Sequence, residues 1–201
     1  MKLIVYYAHP GHRYSHANRD MVRAVEKITD ITFVDLYADY PRFDIDVTVE
    51  QNRLLDHDAI VFQFPVFWYS TPAIFKEWQD VVLEHGFAYG SGGDRLAGKW
   101  LLLAVTAAGP REAYTEQGYQ HHSLRTFLTP LEQTAQLCQM GFAAPYVLFS
   151  SLQAPALGTV GPHVEGYRRL LEAIRDDRFD FEAAAGMELL DHRNLPLRAG
   201  D

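Results

Sequence analysis

Four short runs of aliphatic and β-branched residues, 2–8, 31–36, 59–64 and 99–106, are each closed by turn or helix signals and predict buried strands. A fifth, Tyr146-Val147-Leu148-Phe149, follows Gly141 and Pro145 and completes the count. Between the strands apolar residues recur at helical spacing. Met21, Val22, Val25 and Ile28 share one face of a helix over 15–28, and further helical patterns cover 48–56, 72–84, 123–139 and 162–177. Strands that alternate with helices need crossover connections, and right-handed crossovers place helices on both faces of a parallel sheet. The expected class is doubly wound α/β. Five strands favour the order 2-1-3-4-5 over the six-strand order 3-2-1-4-5-6, and both orders bind ligands at the carboxyl edge of the sheet. The loops after strands 1, 3 and 4, residues 9–16, 65–71 and 106–122, then converge on one crevice.

Length and composition narrow this picture without changing it. A chain of 201 residues fits one domain, with 48% hydrophobic and 22% charged residues as in an ordinary globular protein. The expected domain is 1–178. The remainder, 179–201, with Ala183-Ala184-Ala185-Gly186 and charges around Pro196, reads as an arm that packs or a tail that stays mobile. Five glycines in 86–98 predict an irregular loop, and no internal repeat is present. With 18 basic against 26 acidic residues the net charge is −8, so neither nucleic acid nor an anionic bilayer is a natural partner. Cys138 is the single cysteine, which excludes an intrachain disulfide and a cysteine metal cluster. The opening Met-Lys and the short apolar stretch that follows lack the marks of a signal peptide, and the expected location is cytoplasmic.

Each of the three loops carries candidate chemistry. The first, Ala8-His9-Pro10-Gly11-His12-Arg13-Tyr14-Ser15-His16-Ala17-Asn18, leaves strand 1 and opens helix 1. Free amides and the helix dipole at such a start favour a phosphate monoester, with Ser15, Asn18 and His9 able to add hydrogen bonds. A plain helix cap at Ser15 is the equally open alternative. His9, His12 and His16 do not read as a metal site, because residue 12 precedes the helix and no carboxylate or cysteine stands nearby. The second loop, Pro65-Val66-Phe67-Trp68-Tyr69-Ser70, is aromatic and stiffened by proline. It offers a flat apolar wall to a planar ring, or alternatively the rings pack beneath the loop or at a subunit contact. The third begins with small residues, Thr106-Ala107-Ala108-Gly109, which let a ligand approach the backbone, and continues to Tyr114 and His121, two potential proton donors.

With these residues in hand, the chain resembles the flavodoxin-like NAD(P)H:quinone oxidoreductases, and among them the ancillary proteins of glutathione-regulated potassium efflux. The resemblance extends to about residue 175. It rests on Ala8-His9-Pro10 with Ser15 and Asn18, on Phe64 to Ser70, on Lys76-Glu77-Trp78-Gln79-Asp80-Val81, on Gly86-Phe87-Ala88-Tyr89-Gly90, and on Thr106 to Gly109. It implies a flavodoxin-like five-stranded parallel sheet, a homodimer, and FMN (or FAD) at the carboxyl edge. It also implies ping-pong two-electron transfer from NADH or NADPH to a quinone-like acceptor. By position, His9, Ser15, His16, Ala17 and Asn18 fall near the phosphate, Pro65 to Tyr69 along the ring system, Thr106 to Gly109 at its pyrimidine end, and Tyr114 beside the reacting ring. Two features depart from the family pattern: Ala107 and Ala108 stand where glycines are common, and the family's catalytic histidine falls at Gln120, one residue before His121. The second function the resemblance implies is regulatory, docking on a potassium-efflux transporter at the inner face of the membrane. An electron-carrier role is disfavoured, since carriers need a strongly acidic rim.

Overall fold

In the first strand, β1 (Leu3–Tyr7), Leu3 and Val5 enter one hydrophobic layer while Ile4 and Tyr6 enter the other. Such alternation of apolar residues on both faces is the mark of a strand covered on both sides. The same parity runs through β3 (Ala59–Pro65), where Ala59 and Val61 oppose Ile60, Phe62 and Phe64. It recurs in β4 (Trp100–Thr106), where Leu102 and Ala104 oppose Leu101, Leu103 and Val105. With β2 (Ile31–Asp35) they form a parallel sheet of order β2-β1-β3-β4-β5. The computed structural model describes residues 1–198; 199–201, the end of the expected arm or tail, lie outside the described residues.

The fifth sheet position is occupied in two pieces. β5 (Gly141–Phe142) pairs with Trp100 and Leu101, and β6 (Tyr146–Leu148) pairs with Ala104 to Thr106. Only the second piece was expected from the sequence. The break falls where Pro145 has no amide to donate and the amide of Ala144 turns away to the Ala184 carbonyl.

On one face lie α1 (His16–Val25) and α8 (Val160–Arg175), burying Met21, Val25, Tyr167, Leu170, Leu171 and Ile174. On the other lie α3 (Val47–Asp56), α4 (Ala73–Val82) and α6 (Thr129–Leu137), preceded by the short α2 (Leu36–Asp39) and α5 (Leu124–Phe127). The helix expected over 123–139 is thus split at Leu128, because Pro130 in the first turn of α6 removes the amide that would have continued α5. The face of α3 and α4 is pinned by a buried carboxylate. Glu50 accepts from Tyr40 Oη at 2.6 Å, Arg53 Nη1 at 2.6 Å and Trp78 Nε1 at 3.0 Å. Of the two options for the C-terminal segment, the structure shows packing. Phe179, Phe181, Ala184 and Leu190 are buried with α8, α9 (Phe181–Ala185) lies within the segment, and the short α7 (Ala154–Leu157) precedes α8.

Candidate functional site

The carboxyl ends of β1, β3 and β4 open onto a cleft of about 360 Å³ lined by His9, Gly11, Tyr14 to Asn18, Pro65 to Phe67, Thr106, Ala108, Ser151 and Leu152. Its floor is set by the start of α1. Ser15, in extended backbone, caps the helix by accepting the Asn18 amide at 3.2 Å, and its hydroxyl keeps a proton of its own to donate. The amides of His16 and Ala17 meet no acceptor among the described residues, so two donors and the positive end of the helix face the cleft. Asn18 is buried. Its Nδ2 donates to Thr106 Oγ1 at 3.0 Å and to Ser15 Oγ at 3.3 Å, whereas its Oδ1 has no partner. An orphaned buried acceptor costs about 1–3 kcal/mol and is most simply satisfied by a donor on a ligand. Behind Asn18, Gln63 donates to its carbonyl at 3.4 Å and accepts the Tyr167 hydroxyl at 3.0 Å, so α8 holds this corner through the sheet.

His9 forms one wall. Its Nδ1 accepts the Gly11 amide at 3.1 Å, which leaves the proton on Nε2, and its ring stands edge-on to Phe67 at 5.9 Å. Burial, with the neighbouring His12, pushes its pKa down to about 4, so His9 is a neutral donor at physiological pH. His12 itself turns away to the Tyr7 hydroxyl at 2.7 Å. Among the described residues no three of His, Cys, Asp or Glu gather as a metal-ligand set.

The aromatic loop divides. Pro65, Val66 and Phe67 line the cleft, and the Val66 amide is taken by the Thr106 carbonyl at 2.9 Å. Phe67 and Ser70 then exchange two 3.0 Å hydrogen bonds around Trp68 and Tyr69, whose φ values are 48° and 65°. Left-handed backbone at both central positions is the type I′ arrangement that Asn and Gly favour. Two aromatic residues there are strained, and Trp68 is 92% exposed. Tyr69 leans on Phe127 at 4.7 Å instead of facing the cleft.

The third loop divides as well. Ala107 is buried and its amide donates to the Leu148 carbonyl at 2.8 Å, so of the small residues only Thr106 and Ala108 line the cleft. Gly109 lies close under two rings: a Cβ there would lie 2.9 Å from the Tyr119 hydroxyl and 3.1 Å from the Tyr114 ring. Tyr114 packs on Phe149 and, with His121, lines a second cavity of about 830 Å³ between this loop and Glu188-Leu189. Burial raises the Tyr114 pKa, so its hydroxyl stays protonated. Sequence reasoning missed Gly11 and Tyr14 as lining residues, and it missed Ser151 and Leu152. The last two follow the fifth strand, and the pair Ser150-Ser151 directly after it was the available signal.

A flavodoxin-like fold family matches residues 1–160. The chain belongs to that family. Over 170 residues, 85% of this chain and 92% of the relative, it is 41% identical to the glutathione-regulated potassium-efflux system ancillary protein KefG of Cronobacter sakazakii. It superposes with a TM-score of 0.78 and 35% identity on general stress protein 14 of Treponema denticola in complex with FMN, covering 88% of this chain and 99% of that one. An NADPH-quinone reductase of P. pentosaceus is similar at a TM-score of 0.74 and 26% identity, over 84% of this chain and 96% of that one. The resemblance seen in the sequence therefore stands, with its sheet order, and the flavodoxin-like chain has oxidoreductases among its relatives. No helix among the described residues is long and apolar enough to cross a membrane.

Proposed function

We propose that the protein is an NAD(P)H:quinone oxidoreductase that holds FMN in the cleft at the start of α1. The observation that carries this reading is the pairing of two free helix amides with the orphaned Asn18 Oδ1 in one crevice. The amides of His16 and Ala17, with His9 Nε2–H, suit a phosphate, and the lone acceptor suits a hydroxyl of the sugar-like chain next to it. Pro65 to Phe67 then flank the ring system and exclude water, and Thr106 and Ala108 stand at the opposite side of the cleft. FMN is the first choice, and FAD is the alternative the same phosphate site admits.

When bound, the flavin supplies two-electron hydride acceptance from NADH or NADPH and hydride donation to a quinone-like acceptor, in ping-pong order. The chain's part is binding and proton placement. Tyr114, kept protonated by burial, presents a hydroxyl proton to an acceptor oxygen in the second cavity, and His121 is the other donor there. The exposed rim of Tyr14, Trp68, Tyr69, Tyr119 and Leu152 suits the contact face of a homodimer. A second reading, favoured by the likeness to KefG, is a regulatory subunit that docks on a potassium-efflux transporter from the cytoplasmic side. Protein incubated with FMN or FAD, desalted and heat-released tests the first reading. Stoichiometric FMN is the expected product, and a protein that retains neither flavin sinks it. Capture of a transporter's cytoplasmic domain by a flavin-free protein favours the second.

A further inference from the structure

The C-terminal arm lies beyond the residues 1–160 that match the family, yet it reaches the loop that carries Tyr114. We propose that residues 187–193 form a strap that positions the 111–125 loop, with Arg111 and Arg125 as positioning residues for Tyr114. This inference rests on the reading of Tyr114 as the group that faces the acceptor.

The strap is anchored at the sheet edge. The Leu190 amide donates to the Pro145 carbonyl at 2.8 Å and the Val147 amide donates to the Leu190 carbonyl at 3.0 Å, so Leu190 extends the sheet beside β6. Leu190 is buried in the layer of α1 and α8, whereas Leu189 packs into the opposite layer, which also holds Tyr114 and Phe149. The chain thus crosses from one face to the other directly behind the loop. Asp191 is held in a tight turn: its Oδ1 accepts the Arg193 amide at 2.9 Å, its own amide donates to Asn194 Oδ1 at 2.6 Å, and Arg193 Nη2 donates to its Oδ2 at 2.7 Å.

From this anchor both ends of the loop are tied. At the near end Arg111 Nη2 donates to Asp191 Oδ2 at 3.3 Å, and its guanidinium lies over the Phe149 ring, which in turn packs on Tyr114. At the far end Arg125 donates to the Met187 carbonyl while its other nitrogens hold Glu132. The span between is braced across its middle. The Gln120 amide donates to the Ala113 carbonyl at 3.1 Å, and the two strands of the loop approach so closely there that a Cβ on Gly118 would sit 2.3 Å from that carbonyl. Fixing two ends of a stiff loop fixes the tyrosine it carries. Arg111 is half-exposed and Arg125 part-buried, and each tie alone is a polar contact of small effect, so the pair must be tested together.

The test is Arg111→Gln with Arg125→Gln, singly and together, with Arg111→Lys as the conservative variant. Amide hydrogen exchange in the flavin-free protein needs no activity. The double variant should exchange about three- to ten-fold faster at Tyr114, Gly118, Gln120 and His121, with β1 and β3 unchanged. In FMN-loaded protein the quinone KM should rise several-fold with FMN affinity unchanged, and Arg111→Lys should recover part of the loss. Unchanged exchange in the loop, or a rise shared equally by β1 and β3, overturns the strap. A wild-type protein that binds no flavin defeats the function reading, while the exchange result still decides the strap.

Discussion

Replacing Asn18 by leucine, nearly its equal in shape, separates a ligand-binding role from a structural one. In the free protein Nδ2 donates to Thr106 Oγ1 at 3.0 Å and to Ser15 Oγ at 3.3 Å, and Oδ1 is buried without a partner. Losing these two bonds costs about 1–2 kcal/mol, and removing the orphan returns about 1–3 kcal/mol. The backbone half of the helix cap survives, because Ser15 also accepts the backbone amide of residue 18. Flavin-free Asn18→Leu should therefore unfold within about 1 kcal/mol of wild type, or above it. Binding should change far more. A ligand hydroxyl that meets leucine instead of Oδ1 loses about 1–3 kcal/mol, roughly a 5- to 150-fold weaker dissociation constant. Urea denaturation of the free protein and fluorescence titration with FMN read the two quantities separately. A variant destabilised by more than about 2 kcal/mol that binds FMN as tightly as wild type would refute the reasoning, since Asn18 would then be a structural residue.

Three further outcomes follow from other parts of the molecule. His9 and His163 are pushed down by burial, to about 4 and about 3, and so bind fewer protons folded than unfolded. Their contribution is complete above the ordinary histidine range and is lost as pH falls through it towards 4. After discounting for the partial exposure of His9, flavin-free His9→Gln should flatten pH-dependent unfolding between pH 6.5 and 4 by about 1–2 kcal/mol, with His163 supplying the slope that remains. Glu50→Ala strands the donors of Tyr40, Arg53 and Trp78 in a buried corner and should lower stability by about 3–5 kcal/mol in chemical denaturation. Trp68→Asn relieves a strained φ at a fully exposed side chain. It should raise stability by about 0.5–1 kcal/mol in chemical denaturation, and a loss of stability would show that the turn is not strained.

Much of the fold was legible because each strand is covered on both faces: runs such as Ile60 to Phe64 admit few other readings, and the loops after β1, β3 and β4 follow from the topology. What stayed hidden depends on tertiary partners. The Ala144 amide breaks the fifth strand because Ala184, forty residues on, accepts it. The second half of the aromatic loop leaves the cleft because Trp68 and Tyr69 turn in a two-residue hairpin, for which no glycine or asparagine gave notice. Ala107 read as a backbone donor to a ligand, but the Leu148 carbonyl claims its amide. Tyr114 and His121 do come together, in a cavity whose far wall is Glu188-Leu189, and nothing in the spacing of the 106–122 loop pointed to the chain's last segment.

The central claim is that a flavin held in the cleft passes two electrons from a nicotinamide to a quinone. Anaerobic titration of the FMN-loaded protein with NADH and NADPH, followed by a quinone, tests it most directly. The expected record is full bleaching of the visible flavin bands at one equivalent of nicotinamide and full recovery at one equivalent of quinone. Flavin bands that neither nicotinamide bleaches, or bleached bands that a quinone fails to restore, would contradict it.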